Sequence, residues 1–459
     1  MSAASVRPRP CPRHSGDEPA PLTPDPGASG GTASARKPMY SLTTLPNGLR
    51  IATAEMPHMA SVSVGLWVGV GSRYEPAPLN GVSHFIEHML FKGTHRRSAR
   101  EISEEVEGIG GYLNAFTSEE ITCFHARVHH HHFADVLDVL MDMLHHSRFA
   151  PADIAKERDV IKEEIAMYRD QPAQQVQELL NTIVWPNHPL GRSITGTNRS
   201  LDRLRRLQLT GFLGRNYVAG NTVVVAAGNI RHAAVVRAVS RYARHFRTGA
   251  PPVCPPAAAR QRGPRLKLFT KPIEQAQLAL GLRTCSRHDD RRFALRVFNA
   301  ILGENMSSRL FQRIREDLGL AYNIYSTPSF YADTGDLVIS AGLDTDNLPR
   351  TLRLIRQELE RCATAAPSRA ELQRARDFVI GQFDLTLEST ENQMNFVGEQ
   401  VLGYGCITPP ERTKRRLAAV SAPQIRQVAQ TYFRPDQLNL AIISPLRDDA
   451  PVRAELRWS

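Results

Sequence analysis

Three side chains in the first quarter of the chain have the types and spacing that metal-assisted hydrolysis needs. The segment GVSHFIEHMLFKGT, residues 81–94, carries His84, Glu87 and His88. On a helix, positions i and i+4 share a face, so two imidazoles four apart can grip one ion, and a glutamate at i+3 lies beside them. Zinc held by two histidines and one carboxylate keeps a fourth position for water, lowers its pKa towards about 7, and needs a nearby base for the proton. Glu87 is placed to be that base. Two histidines and a glutamate on a stripe of an otherwise apolar helix would be costly to bury without a metal. A later carboxylate-rich helix, KERDVIKEEIAMYRD, arrives to supply a third ligand.

The elements that must position these groups are legible around them. YSLTTLPNGLRIATAEM reads as a hairpin turning at Asn47-Gly48, and SVSVGLWVGVGSR as a strand feeding the helix that bears the histidines. GGYLNAFTSEEITCFHARV reads as a second hairpin, residues 153–169 as a strongly periodic helix, and NTVVVAAGN as a closing strand. TGAPPVCPPAAARQRGP, residues 248–264, breaks all periodicity and is expected to be a linker. Beyond it, EQAQLALGLRTCSR opens a second half, and laying Ser286-Arg287 on Ser72-Arg73 sets an offset of 214 under which the following helices coincide. At that offset His84 and His88 fall on Phe298 and Leu302, so only the first half is chemically equipped. The expected organisation is a zinc-binding domain over 39–247, the linker, and a homologous domain over 265–459 that has lost the metal site.

Composition excludes several alternatives. With 459 residues, 42% hydrophobic and 22% charged, the chain is long enough for two to three domains. No apolar run reaches membrane-spanning length, so no membrane partner is expected. The net charge of +11 would suit nucleic acid, but the basic residues are scattered and match no nucleic-acid motif, so none is expected as a partner. Six widely spaced cysteines without a CxxC pair argue against a disulfide framework and a cysteine zinc site, and point to a reducing compartment. Residues 1–38 hold eight prolines and four glycines and are expected to be a disordered tail. The run His129–His132 reads as an exposed helix start, with adventitious metal binding as its alternative.

HFIEHMLFKGT, GGYLNAFTSEEITCFHARV, ERDVIKEEIAMYRDQP and HPLGRSITGT resemble the pitrilysin/insulinase metallopeptidases, in the half-length branch with the mitochondrial processing peptidase β subunit and its bacterial relatives. In the second half IEQAQLALG, MSSRLFQRIREDLGLAYNIYS and LTLESTENQMNFVGE extend the likeness, which covers about residues 40–445. It implies an α+β fold of two homologous domains, each an antiparallel sheet covered by helices. It implies one zinc per chain held by His84, His88 and Glu164, which stands 76 positions past His88, with Glu87 as general base and Glu157 supporting the site. Glu163, the nearest rival, lies about 100° round the helix from Glu164. By the same resemblance Asn114 lies next to an edge strand that binds extended substrate by β-augmentation, and Arg315 and Tyr322 hold substrate carbonyls near the scissile bond. Glu178 matches one of two acidic positions that meet a presequence arginine; the other is Gln174. The implied activity is endoproteolysis of short unfolded peptides by a homodimer, or by a pair with a homologous second subunit. The alternative is a non-catalytic scaffold subunit of the same fold. A cytoplasmic, bacterial-type location is expected ahead of the mitochondrial matrix.

Overall fold

The computed structural model describes residues 38–257 and 261–456; the expected tail lies outside these residues apart from Pro38. Six strands of the first half, β1 (Tyr40–Thr44), β2 (Arg50–Glu55), β3 (Ser61–Val68), β4 (Tyr112–Thr117), β5 (Thr122–His129) and β6 (Thr222–Gly228), form one sheet in the order β1-β2-β6-β3-β5-β4. The second half contributes β7 (Arg265–Thr270), β8 (Gln275–Thr284), β9 (Ala321–Phe330), β10 (Gly335–Asp344) and β11 (Asn439–Ser444), ordered β7-β11-β8-β10-β9. The first hairpin turns at Asn47-Gly48 as expected, with Gly48 at φ 92° and the Asn47 side chain accepting from the Leu49 N–H.

The two sheets share one topology. Matching β2, β6, β3, β5 and β4 to β7, β11, β8, β10 and β9 reproduces every neighbour and every direction. Neither sheet is wholly antiparallel, because β2 pairs with β6, and β7 with β11, in parallel. A hairpin forces antiparallel pairing, whereas these partners are separated in sequence by three other strands of their sheet and several helices, so the chain can return in either direction. Phe298 and Leu302, the counterparts of the two histidines, are fully buried in the second core.

Helices α1 (Val82–Leu90), α2 (Ala99–Glu107), α3 (Phe133–His146), α4 (Pro151–Arg169), α5 (Pro172–Val184), α6 (Asn198–Leu201), α7 (Arg206–Asn216) and α8 (His232–Ser240) belong to the first half. The second has α9 (Arg291–Leu302), α10 (Leu348–Thr364), α11 (Arg369–Thr386), α12 (Thr390–Tyr404), α13 (Pro410–Ala418), α14 (Ala422–Tyr432) and α15 (Ala450–Glu455). Two of these helices pack on the sheet of the other half. The apolar stripe of α5, Val176, Leu180 and Val184, lies on Ala279 of β8 and Ala441 and Ile443 of β11. Reciprocally, Met394, Val397 and Val401 of α12 cover Ala52, Ala54, Val223, Val225 and Trp67. Gly398 allows that approach, since a Cβ there would stand 2.4 Å from the Trp67 ring. The strands under α5 and α12 are therefore buried on both faces, which is why TVVVAAG reads as an unbroken apolar run.

The junction between halves is polar and ordered. Arg73, fully buried, donates to Glu120 at 2.7 Å, to Asp333 at 2.6 Å and to the Pro255 carbonyl of the linker at 2.8 Å. Arg287, its counterpart in the repeat, donates to the same Glu120. Among the described residues Cys123, Cys254, Cys285 and Cys362 are buried free thiols.

Candidate metal centre

The centre is built on α1. The helix turns its apolar stripe, Val82, Phe85, Ile86, Met89 and Leu90, into the first core and leaves His84, Glu87 and His88 along the remaining face. Its N-terminus is held by Glu75, a buried carboxylate that accepts from the Gly81 N–H at 2.7 Å, the Ser83 N–H at 2.8 Å and the Asn80 side chain at 3.0 Å. These are donors the first helical turn would otherwise leave unpaired, and the negative charge suits that end of the helix. Gly81, at φ 93°, makes the entry possible, since a Cβ there would stand 2.7 Å from the Thr195 carbonyl oxygen.

α4 packs beside α1 and brings two glutamates seven residues apart, which is two turns and one face. Glu164 Oε2 lies 3.5 Å from His84 Nε2 and 3.7 Å from His88 Nε2. One ligand atom from each of the three residues falls within 4.8 Å of the others. A tetrahedral zinc ion with bonds near 2.1 Å sets its ligand atoms about 3.4 Å apart, so this spacing fits. Glu164 Oε2 is moreover buried without a hydrogen-bond partner among the described residues, while Oε1 accepts from the Tyr168 hydroxyl at 2.8 Å. A buried carboxylate oxygen facing two imidazole nitrogens calls for a cation. Burial, reinforced by the neighbouring His88, pushes His84 down to about 3, so its ring is neutral and free to donate a lone pair. Glu163, the alternative ligand, is exposed.

Glu157 is 2% exposed and sits behind His88, with Oε2 3.2 Å from Nδ1 and Oε1 2.8 Å from Lys92 Nζ. A carboxylate on Nδ1 fixes the ring with Nε2 turned towards Glu164. Glu87 lies outside the ligand trio, and its Oε2 accepts from the Thr117 hydroxyl at 2.5 Å. Burial raises the Glu87 pKa and Glu164 adds to this, while Thr117 and His88 oppose it. A cleft of about 500 Å³ opens over His84, Glu87 and Glu164. Glu119 and Glu178 line its walls, and Glu178 accepts from Ser193 at 2.6 Å.

Asn114 is exposed on β4, which is itself the edge strand, opposite His125 of β5. Its amide donates to the Tyr112 hydroxyl at 2.5 Å. Arg315 and Tyr322 are brought together, the guanidinium 5.9 Å from the Tyr322 ring centre, and Tyr322 is 73% exposed. Neither lines the cleft of its own chain. Sequence reasoning missed Glu75, Thr117, Glu119 and Tyr168. Tyr168 had a usable signal, since it stands one helical turn after Glu164.

The chain is similar to known proteins over most of its length. The family model described as Insulinase (Peptidase family M16) matches residues 50–198, and that of the Peptidase M16 inactive domain matches residues 203–379. An uncharacterized zinc protease of Streptomyces coelicolor is 38% identical over 416 residues, 88% of this chain and 90% of that one. Another from Bacillus subtilis is 37% identical over 408 residues, covering 89% and 98%. Among solved structures, a protease from Helicobacter pylori has a TM-score of 0.84 at 20% identity, covering 89% of this chain and all of that one. A peptidase M16 inactive domain from Pseudomonas fluorescens has a TM-score of 0.82 at 17% identity, covering 89% and 98%. Among the described residues no helix is long and apolar enough to cross a membrane. The chain belongs to the insulinase family of peptidases, family M16.

Proposed function

We propose that this protein is a zinc-dependent endopeptidase acting on short unfolded peptides, with His84, His88 and Glu164 holding one zinc ion and Glu87 as general base. The observation that carries this is the convergence of two imidazole nitrogens on a buried, unpartnered oxygen of Glu164, with Glu87 at the rim of the same cleft. Zinc bound there supplies a Lewis acid that polarises a peptide carbonyl and acidifies water. Glu87, with one oxygen fixed by Thr117, takes a proton from the attacking water through the other and returns it to the amine as the C–N bond breaks. Its raised pKa suits both transfers. The open edge of β4, with Asn114 on it, supports binding of an extended peptide as an added strand, which selects unfolded segments. Glu119 and Glu178 favour peptides with basic side chains. Arg315 and Tyr322 do not line their own cleft, which supports a homodimer in which they serve the partner's cleft. The complete ligand trio favours this reading over a non-catalytic scaffold. Stripping the metal with a chelator should abolish cleavage of a short basic peptide, and adding zinc should restore it; cleavage that survives stripping contradicts the proposal.

A further inference from the structure

The four-histidine run after β5 is not absorbed by the peptidase reading, and its members are not equivalent. His132 is committed, with Nδ1 2.9 Å from Asp135 Oδ2. His129, His130 and His131 contact one another, with ring centroids 4.7 Å, 4.8 Å and 4.0 Å apart. Among the described residues none of these three rings has a hydrogen-bond or ion-pair partner.

Backbone geometry explains how three consecutive side chains meet. Along a continuing strand His129 and His130 would point to opposite faces. Here β5 stops at His129, extended at φ −60° and ψ 139°, and the chain tightens at once into a single 3₁₀ turn, His130–His132. That turn wraps the next two rings round to the side of the first. The His130 N–H donates to the Ala60 carbonyl at 3.0 Å and ties the turn to the approach of β3. The backbone that presents the rings is therefore anchored, while the rings are exposed or half-buried and free to rotate.

We infer that His129, His130 and His131 form a second metal site, separate from the peptidase centre, which takes a borderline divalent transition cation such as Zn²⁺, Cu²⁺ or Ni²⁺. One ring nitrogen from each lies within 4.8 Å of the others, as in the His84, His88 and Glu164 trio. Closing to the roughly 3.4 Å separation of a tetrahedral ion needs only small side-chain rotations. Imidazole is a favoured donor for these cations, and the absence of carboxylates from the set disfavours Ca²⁺ and Mg²⁺. The two sites are far apart. Thr122, at the other end of β5, pairs with Thr117, which touches Glu87, and seven residues of strand at about 3.4 Å each separate Thr122 from His129 by about 24 Å. No carboxylate orients these rings as Glu157 orients His88, so this site is the weaker one.

Zinc sulfate titrated into the metal-stripped full chain, followed by calorimetry and by competition with a chelating dye, tests this. Wild type should bind two zinc ions per chain, one tight and one weaker. The variant His129→Ala/His130→Ala/His131→Ala should bind one, with the tight phase and the peptidase rate at one equivalent of zinc unchanged. The single exposed variant His131→Ala should weaken the second phase alone. His84→Ala/His88→Ala should lose the tight phase and keep the weaker, so failure of the peptidase reading and failure of this one are told apart. A wild-type stoichiometry that the triple substitution leaves unchanged, or a weaker phase that survives it, overturns the inference.

Discussion

Replacing Glu157 with Gln separates a residue that positions a ligand from one that reacts. The side chain is 2% exposed and both oxygens are used, one on His88 Nδ1 at 3.2 Å and one on Lys92 Nζ at 2.8 Å. Glutamine keeps the volume but has one accepting oxygen, so its NH₂ must face either the imidazole N–H or the ammonium, donor against donor. His88 then loses its orienting partner, or Lys92 its counter-charge. Losing a carboxylate behind a metal-bound histidine weakens affinity about 10- to 100-fold, roughly 1.4 to 2.7 kcal/mol. Zinc affinity should be measured by competition with a chelating dye, and peptide turnover across rising zinc. The Glu157→Gln enzyme should need correspondingly more zinc and recover most of its rate once saturated. Wild-type zinc affinity, or a lost rate that saturating zinc does not restore, would refute the positioning role.

Two further outcomes follow from the geometry. Chains carrying Glu87→Gln and chains carrying Arg315→Ala should each be nearly inactive, yet regain about a quarter of wild-type activity when mixed equally and allowed to exchange, because about half of the dimers are mixed and each keeps one working site; exchange verified by mass spectrometry without recovery would place Arg315 outside the partner's cleft. Asp336 lies buried in β10 with Oδ1 unpartnered, and burial pushes its pKa up to about 7, against about 3.9 in an unfolded chain. The folded state thus keeps a proton that the unfolded state loses between about pH 4 and 7, so stability falls as pH rises through that window. Asp336→Asn should flatten this slope in denaturant titrations at pH 5 and pH 8, and an unchanged slope would assign it to other groups.

Features carried by local periodicity were legible in the sequence. His84, Glu87 and His88 share a stripe because a helix repeats every 3.6 residues, and Glu157 and Glu164 share one because seven residues make two turns. Asn47-Gly48 announced its hairpin, and the apolar Phe298 and Leu302 announced a second helix without ligands. Features set by long-range return of the chain were not. Glu75 caps α1 only because the turn at residues 76–80 folds it back over Gly81 and Ser83. Thr117 reaches Glu87 from another element altogether. An apolar stripe such as those of α5 and α12 does not say which sheet covers it, so the exchange between halves was invisible. The parallel pairs were hidden for the same reason, since no hairpin fixes their direction.

The rate of the zinc-loaded Glu87→Gln chain on a short unfolded peptide tests whether Glu87 moves the proton while His84, His88 and Glu164 hold the metal. Zinc should be bound as in wild type and turnover should be lower by about 10²- to 10⁴-fold. Wild-type turnover by that chain would contradict it.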